Sequence, residues 1–200
     1  MHHAPAENAA AVVLVRHGET EWSASGRHTS VTDLALTPAG EDAARRLAPA
    51  LRRWDFSAVF ASPRLRARRT AELAGFPHPT IDPNLAEWSY GDYEGRTGAD
   101  IRAERPDWQL WRHGAPGGES PEQVRHRAES VVSRVLEVTD EGGDVLLVAH
   151  GHMLRAVVAA WVGMPADGGC HFKLDTATLS VLGFDHGNRA IRSWNAPLPT

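Results

Sequence analysis

The chain has 200 residues, the length of one ordinary domain, because cores rarely grow beyond about 250–300 residues before a chain divides. Its hydrophobic fraction of 42% and charged fraction of 23% are typical of a globular protein, and no stretch approaches the roughly 18 apolar residues that a membrane span needs. The formal net charge of −4 argues against a nucleic acid bound through its phosphates. We therefore expect neither a membrane nor a nucleic acid as a partner.

Residues 1–10 contain no cationic start followed by an apolar core, which predicts a loose tail and no secretion signal. Cys170 is the only cysteine, so an internal disulfide is excluded. This composition suits a reducing compartment, and we expect a cytoplasmic protein. No motif surrounds Cys170, so we do not expect it to act as a nucleophile. The oligomeric state stays open, with a homodimer as one option.

Apolar runs of strand length alternate with helical patterns in the first part of the chain. Residues 12–15 form a continuous apolar run, as in a parallel strand buried on both faces, and residues 58–61 form a weaker one. Thr37-Pro38 and Ser62-Pro63 predict helix starts, because a hydroxyl caps the first turn and proline fits the first helical position.

The segment from residue 75 to residue 118 is rich in glycine, proline, tryptophan and charged residues, with only short helical patches near Asp100 and Trp108. A long irregular insertion in a compact domain is often a lid or a binding loop. We therefore expect one domain over residues 11–200, in which segment 75–118 forms the wall of a site.

The remainder of the chain returns to the alternating pattern. Ser120-Pro121 predicts a helix start, and Gln123 completes a capping box with Ser120. Residues 144–149 predict another strand buried on both faces. Two further strands are predicted over residues 178–184 and 190–194, joined by a hairpin at His186-Gly187-Asn188. Strands that alternate with helices in this way predict an α/β domain.

Basic and polar residues directly follow the three apolar strands. The segments are Arg16-His17-Gly18-Glu19-Thr20, Ser62-Pro63-Arg64-Leu65-Arg66 and His150-Gly151-His152. Ligands of open α/β sheets bind at the carboxyl ends of the strands, so we expect these residues to share one crevice. A single histidine after a strand is more often a structural residue. Three such ends that bring two histidines and two arginines are hard to explain by packing alone.

These side chains suit attack on a phosphate ester, whose negative oxygens repel a nucleophile. Arginines and backbone N–H groups at helix starts neutralise that charge. A neutral imidazole can then attack phosphorus and form a covalent intermediate, which divides one difficult displacement into two easier ones. The leaving alkoxide needs a proton, so we expect a carboxylic acid nearby.

The segment Arg16-His17-Gly18-Glu19-Thr20 resembles the signature of the histidine phosphatase, or phosphoglycerate mutase-like, superfamily. The resemblance implies that His17 is the nucleophile and that Arg16 is a phosphate ligand. It also implies an α/β fold, a three-layer αβα sandwich with a mostly parallel central sheet.

Three further elements resemble those of the family and follow in the right order, at residues 62–67, 85–95 and 149–151. By this resemblance, Arg66 is a second phosphate-binding arginine, Glu87 is the proton donor and His150 is the second histidine of the phosphate pocket. The four elements together span most of the chain.

Several neighbouring residues offer other interpretations. Asp92 and Glu94 lie in the same element as Glu87 and stay open as alternative acids. The arginines that flank Arg66 are expected to be solvated: Arg64, Arg68 and Arg69. Four histidines are expected at the surface or in structural roles, although the first lies close to the pocket loop: His28, His113, His126 and His171. The histidines show no metal-binding spacing and the arginines supply positive charge, so we expect no metal and no cofactor.

Within the superfamily, residues 21–23, 62–68, 87–95 and 149–152 resemble the sedoheptulose-1,7-bisphosphatase-like branch and related actinobacterial acid phosphatases. The resemblance implies a small phosphorylated metabolite as the partner. It implies substrate contacts from Ser23, Thr29, Ser30, Tyr90, Arg155 and His186.

Resemblance to the cofactor-dependent phosphoglycerate mutases is partial. They carry asparagine and glycine where this chain has Ser23 and Ser30, and a longer, lysine-bearing insertion where residues 95–120 contain no lysine. A shorter wall leaves the site more open to water, which favours hydrolysis. We therefore expect a phosphatase that acts on sugar phosphates or phosphorylated sugar acids. A phosphoglycerate mutase is the alternative; a non-catalytic phosphate-binding module is less favoured, because His17 and Glu87 are both present.

Overall fold

The computed structural model describes residues 10–198. Of the predicted tail over residues 1–10, only Ala10 lies within the described range, and its side chain is buried. The rest of the predicted tail lies outside the described residues. Within that range, no helix is long and apolar enough to cross a membrane.

One mixed sheet carries the described fold. Its strands are β1 (Val12–Arg16), β2 (Phe56–Ala61), β3 (Thr80–Ile81), β4 (Asp144–Ala149), β5 (Leu179–Asp185) and β6 (Asn188–Ala196), in the order β3-β2-β4-β1-β5-β6. The first four in this order run parallel, and β5 and β6 pair antiparallel at the other edge. The predicted mostly parallel sheet is confirmed. No sequence pattern marks β3, because its two residues are both exposed.

The α-helices of the described chain are α1 (Glu21–Ala24), α2 (Pro38–Leu51), α3 (Leu65–Leu73), α4 (Gly98–Glu104), α5 (Leu110–His113), α6 (Pro121–Asp140) and α7 (Gly151–Trp161). Short 3₁₀ turns span Pro83–Leu85, Gly91–Tyr93 and Ala166–His171. Thr37 caps α2, and Ser120 forms with Gln123 the predicted capping box of α6. The helix start predicted at Ser62-Pro63 is wrong: α3 begins two residues later and has no side-chain cap.

Helices cover both faces of the sheet. Val13 and Val15 of β1 pack on one face with Leu47 of α2 and with apolar residues of α3. Val12 and Leu14 pack on the other face with the apolar sides of α6 and α7. Because neighbouring side chains of one strand enter two different cores, the whole strand is apolar. The predicted three-layer αβα sandwich is confirmed.

Buried tryptophans hold segment 75–118 in the same core as α6 and α7. Trp88 Nε1 donates to the Glu119 carbonyl at 2.9 Å, and Trp108 Nε1 donates to the Gly114 carbonyl at 2.9 Å. Trp111 packs edge-on against Trp88, with ring centroids 5.2 Å apart. The irregular backbone of this segment is therefore fixed by the packing of large side chains, with little regular structure.

Candidate active site

Three neighbouring strands bring their carboxyl ends together. β4 lies between β1 and β2, and the first residues beyond these strands are His17, Ser62 and His150. The backbone N–H of His17 donates to Ala149 O at 2.9 Å, and that of Ser62 donates to Val148 O at 3.0 Å. The imidazole rings of His17 and His150 lie with their centroids 5.1 Å apart. The three strand ends thus lie side by side at the same end of the sheet.

A cavity of about 170 Å³ opens at the carboxyl ends of these strands. Most of the predicted site residues line it: Arg16, His17, Ser23, Thr29, Glu87, Tyr90 and Arg155. Arg66 and His150 are fully buried and are not among its lining residues, but the His150 ring lies directly against that of His17, which lines the cavity. Ser30 and His186 do not line it either.

Gly18 allows the loop after β1 to pass close to α2. A Cβ at this position would lie 2.5 Å from the Gly40 carbonyl oxygen. The backbone N–H of Gly18 donates to Thr70 Oγ1 at 2.9 Å, and that hydroxyl donates to Arg66 O at 2.7 Å. The loop and α3 are therefore joined, which fixes His17 and Arg66 relative to each other.

The protonation state of His17 follows from its contacts. Its Nδ1 lies 2.7 Å from the Gly18 carbonyl oxygen. Because a carbonyl only accepts, Nδ1 carries the proton and Nε2 keeps its lone pair. Burial, together with the cations of Arg16 and Arg66, holds the pKa of His17 well below its ordinary value. The ring is therefore neutral near pH 7, and Nε2 is available as a nucleophile.

Arg16 and Arg66 are buried cations whose guanidinium groups are only partly paired. Arg16 Nη1 donates to Leu174 O at 2.6 Å. The two terminal nitrogens of Arg66 donate to the carbonyls of Thr29, Ser30 and Thr32. Burial lowers the pKa of both guanidinium groups. Among the described residues, Arg16 Nε, Arg66 Nε and His150 Nδ1 are buried without a hydrogen-bond partner, as expected where an anion binds.

A loop over residues 29–32 holds Arg66, and Glu94 holds that loop. The Glu94 carboxylate accepts from the backbone N–H of Ser30 at 2.9 Å and of Thr32 at 3.0 Å, and from the Ser30 hydroxyl at 2.6 Å. Burial acts to raise the pKa of Glu94, but these hydrogen bonds outweigh it and keep the pKa below its ordinary value. Glu94 does not line the cavity, and neither does the exposed Asp92.

Glu87 lines the cavity and also caps α7. Its Oε1 accepts from the backbone N–H groups of Trp88 and Met153, both at 2.9 Å, and its Oε2 accepts from that of His152 at 3.1 Å. Each carboxyl oxygen has two lone pairs, so Oε1 is fully used while Oε2 has room for a proton. Of the three candidate acids, Glu87 is the one that the structure places at the cavity.

Neutral polar rings form the outer part of the cavity. The Tyr90 hydroxyl lies 2.7 Å from His152 Nδ1, and the ring centroids of His28 and Tyr90 are 4.6 Å apart. Burial raises the pKa of Tyr90, lowers that of His152 and lowers that of His28 to about 4. His28 Nε2 is buried, with no partner among the described residues. His28, expected to be structural or at the surface, therefore belongs to the cavity wall.

Arg155 lines the cavity, but much of its guanidinium group is already paired. Its Nε donates to Gly169 O at 3.0 Å, and its Nη2 donates to Cys170 O at 3.2 Å. Its guanidinium carbon lies 5.1 Å from the centroid of the Trp111 ring. These contacts leave both N–H groups of Nη1 and one of Nη2 as donors that Arg155 can offer to a ligand.

Two of the predicted substrate contacts lie elsewhere. His186 is in the turn between β5 and β6, and its side chain is 93% exposed. β5 runs antiparallel to β1, and its first residue, Leu179, pairs with Val15 beside the site. Its last residue therefore lies beyond the amino-terminal end of β1, at the end of the sheet opposite the site. The prediction for His186 is therefore wrong. Ser30 is buried and hydrogen-bonded to Glu94, so it supports the loop behind the cavity.

No sequence pattern predicts the surroundings of Ser62 and Arg64. Ser62 Oγ lies 2.6 Å from His150 Nε2, so its hydroxyl is not used as a helix cap. Arg64, expected to be solvated, has an Nε that is buried without a partner among the described residues. Because α3 begins only at Leu65, Ser62 and Arg64 stay in the loop between β2 and α3.

Residues 12–197 match the family model of the histidine phosphatase superfamily (branch 1). The chain belongs to this superfamily. This histidine phosphatase is 44% identical over 182 residues to an acid phosphatase of Mycobacterium tuberculosis, covering 90% of this chain and 89% of the relative. It is 36% identical over 189 residues to a sedoheptulose 1,7-bisphosphatase of Saccharomyces cerevisiae, covering 79% of this chain and 69% of the relative.

The histidine phosphatase also resembles a Photorhabdus laumondii protein named as a probable phosphoglycerate mutase, at 32% identity over 194 residues, with 92% and 89% of the two chains covered. A solved structure from Mycobacterium tuberculosis superimposes with a TM-score of 0.91 at 42% identity, covering 95% of this chain and 99% of that one. The predicted superfamily, its phosphatase branch and the enzyme class of phosphatase are confirmed. Within residues 10–198, no group of three or more His, Cys, Asp or Glu is arranged to hold a metal ion.

Proposed function

We propose that this enzyme hydrolyses small phosphorylated sugars or sugar acids through a phosphohistidine formed on His17. The observation that carries the proposal is the set of buried, unpaired nitrogens of Arg16, Arg66 and His150 beside a neutral imidazole. Three such nitrogens suit the three outer oxygens of a phosphoryl group, on which negative charge is spread during transfer.

In the first step, Nε2 of His17 attacks phosphorus, and the bond between phosphorus and the ester oxygen breaks. Glu87, protonated at Oε2, gives its proton to the departing alkoxide, which leaves as an alcohol. Arg16 and Arg66 offset the charge of the phosphoryl oxygens, the part that a metal ion plays in other enzymes. We therefore propose catalysis without a metal or a cofactor.

In the second step, water takes the place of the alcohol. The Glu87 carboxylate accepts a proton from that water at Oε2 while the water oxygen bonds to phosphorus and the bond from phosphorus to His17 breaks. The products are inorganic phosphate, a neutral imidazole and a protonated Glu87, so the enzyme returns to its starting state.

The outer part of the cavity supports a small, hydrophilic substrate. Neutral His28, Tyr90 and His152 can exchange hydrogen bonds with sugar hydroxyls. The exposed Arg27 and the partly paired Arg155 line the same cavity and suit a second anionic group. The names of the relatives, acid phosphatase and sedoheptulose 1,7-bisphosphatase, also favour phosphorylated sugars. A bisphosphate or a phosphorylated acid should therefore be preferred to a plain monophosphate.

Brief mixing with a radiolabelled sugar phosphate, in excess chelator, tests the mechanism. Label should appear on His17, be lost in acid and survive alkali, as a phosphoramidate does. It should be absent from His17→Ala. Alkali-labile label, or label that persists in His17→Ala, would contradict the phosphohistidine. Labelling that requires added Mg²⁺ would contradict catalysis without a metal.

A second assay separates hydrolysis from transfer, since one relative is named as a mutase. The enzyme is given 3-phosphoglycerate with catalytic 2,3-bisphosphoglycerate, and both 2-phosphoglycerate and free phosphate are followed. We expect phosphate release to dominate; fast isomer formation with negligible phosphate release would make this protein a mutase. A cytoplasmic location and a homodimer remain predictions from the sequence.

A further inference from the structure

Ser62 and His150 share a hydrogen bond whose direction decides what His150 can offer to a phosphate. Ser62 Oγ lies 2.6 Å from His150 Nε2, and both side chains are fully buried. The other ring nitrogen, Nδ1, is buried with no partner among the described residues. His150 therefore has one nitrogen bonded to the serine and one left for a ligand.

The proton positions follow from counting donors and acceptors. Ser62 Oγ accepts from the backbone N–H of Arg64 at 3.3 Å, and its hydroxyl has one proton that needs an acceptor. Among the described residues, His150 Nε2 is the acceptor within hydrogen-bond distance of that hydroxyl. If Nε2 carried a proton instead, the serine proton would have no acceptor at a fully buried position, which is unfavourable.

We propose that Ser62 is a positioning residue, whose hydroxyl donates to His150 Nε2 and so keeps the ring proton on Nδ1, where it can bind a phosphoryl oxygen. The use of this N–H in catalysis rests on the proposed function. The tautomer itself is a property of the free protein and can be measured without a substrate.

The tautomer matters because His150 has only one proton to place. Burial and the nearby Arg66 cation hold the pKa of His150 well below its ordinary value, so the ring is neutral. With the proton on Nδ1, the ring adds an N–H donor to those of Arg16 and Arg66. With the proton on Nε2, a lone pair would face the negative phosphoryl oxygens. Ser62 thus favours the tautomer in which Nδ1 donates a hydrogen bond to a phosphoryl oxygen over the one in which its lone pair repels that oxygen.

Nitrogen-15 spectra of the histidine rings report the tautomer directly, because a protonated ring nitrogen resonates far from an unprotonated one. The protein is labelled with nitrogen-15 histidine, and the His150 signals are assigned through their connection to its backbone. Near pH 7 and without phosphate, we expect a protonated Nδ1 and an unprotonated Nε2. A protonated Nε2 in the unmodified protein overturns the proposal, whether or not any variant folds.

Variants then test whether Ser62 sets this state. Ser62→Ala removes the donor, so both tautomers should appear, and the inhibition constant of inorganic phosphate should rise by roughly tenfold, the scale expected for one hydrogen bond to a charged group. Ser62→Thr keeps the hydroxyl and should keep the single tautomer and most of the affinity for phosphate.

Ser180→Ala is the matched control. It removes another fully buried hydroxyl, one that accepts from Asn195 N at 2.9 Å and does not line the cavity. It should lower stability by a similar amount and leave the His150 tautomer and phosphate inhibition unchanged. If Ser62→Ala behaves in the same way as this control, Ser62 serves packing only, and the proposal is wrong.

Failure of the proposed function gives a different result. Absence of label on His17 removes the phosphohistidine mechanism, while the tautomer and its dependence on Ser62 can still be observed. A labelled His17 together with a proton on His150 Nε2 removes the inference about Ser62 alone.

Discussion

The phosphate end and the outer end of the cavity are held in different ways. At the phosphate end, His17 and His150 follow adjacent strands, and Arg66 is bound to three backbone carbonyls. At the outer end, Tyr90 and His152 are hydrogen-bonded to each other; Tyr90 directly precedes a 3₁₀ turn and His152 lies in the first turn of α7. The phosphate end is therefore fixed by the sheet, while the outer end depends on loop packing.

This difference indicates how the two ends can vary. A change at the phosphate end disturbs backbone partners as well as the side chain itself, so few alternatives preserve the geometry. A change at the outer end alters contacts to the part of the substrate that does not react. We expect substitutions at the phosphate end to reduce the rate on every substrate, and those at the outer end to act on selectivity.

The largest effect is expected for Arg66→Ala. It removes a phosphate ligand and leaves the carbonyls of the 29–32 loop unpaired. We expect kcat/KM to fall by roughly 10³–10⁵-fold on all substrates, the range for an arginine that stabilises a transferring phosphoryl group. Steady-state kinetics on a sugar phosphate and on nitrophenyl phosphate check this. Arg68→Ala, at an exposed position of the same helix, is the control and should be nearly neutral.

Glu87→Gln should discriminate between substrates by leaving group. A sugar phosphate should lose about 10²–10⁴-fold in kcat, because its alkoxide needs a proton. Nitrophenyl phosphate should lose far less, because its phenolate leaves unprotonated. The two rates are compared under single-turnover conditions. Equal losses on both substrates would exclude Glu87 as the proton donor.

Glu94→Gln tests whether a residue of segment 75–118 supports the phosphate end. The amide oxygen can still accept from the N–H groups of Ser30 and Thr32, but the NH₂ group replaces the oxygen that accepts from the Ser30 hydroxyl, and the carboxylate charge is lost, so the loop that holds Arg66 should shift. We expect kcat/KM to fall about tenfold, equally for sugar and nitrophenyl phosphates, on the scale of one or two lost hydrogen bonds. Asp92→Asn, exposed in the same segment, should have no effect. A leaving-group dependence like that of Glu87→Gln would contradict this role.

The smallest effect concerns stability and pH. Burial holds the pKa values of His17, His150 and His152 well below 6.5, so below that pH the unfolded chain binds protons that the folded protein does not. The free energy of unfolding should therefore be flat above about pH 6.5 and fall as the pH drops towards 5, by up to about 1.4 kcal/mol per pH unit for each histidine. Urea unfolding across this range measures the slope. His17→Asn should make it shallower; an unchanged slope would mean that His17 is protonated in the fold.

The sequence could predict the phosphate end because its residues follow buried strands, and such strands are visible as continuous apolar runs. His17 and His150 were placed by that rule together with the family motifs. The role of Ser62 could not be predicted in this way, because its partner His150 lies 88 residues away and a serine before proline looks like a helix cap. The role of Glu94 could not be predicted for the same reason, since its partner Ser30 is 64 residues away.

The wrong prediction for His186 has a geometric cause. The hairpin pattern predicts two paired strands, but it does not predict whether their turn lies at the same end of the sheet as the site or at the opposite end. That depends on the antiparallel pairing of β5 with β1, a contact between Leu182 and Val12 that no local pattern encodes.

The turn of the same hairpin lies away from the catalytic residues. Residues 186–187 form this turn at the end of the strands opposite the cavity. Both residues are exposed, and both have positive φ angles. A peptide inserted after Gly187 would extend into solvent, away from the core and from the cavity. Enzyme tethered to a solid support through such a peptide would present its cavity to the solution, so turnover on the support should match turnover in solution.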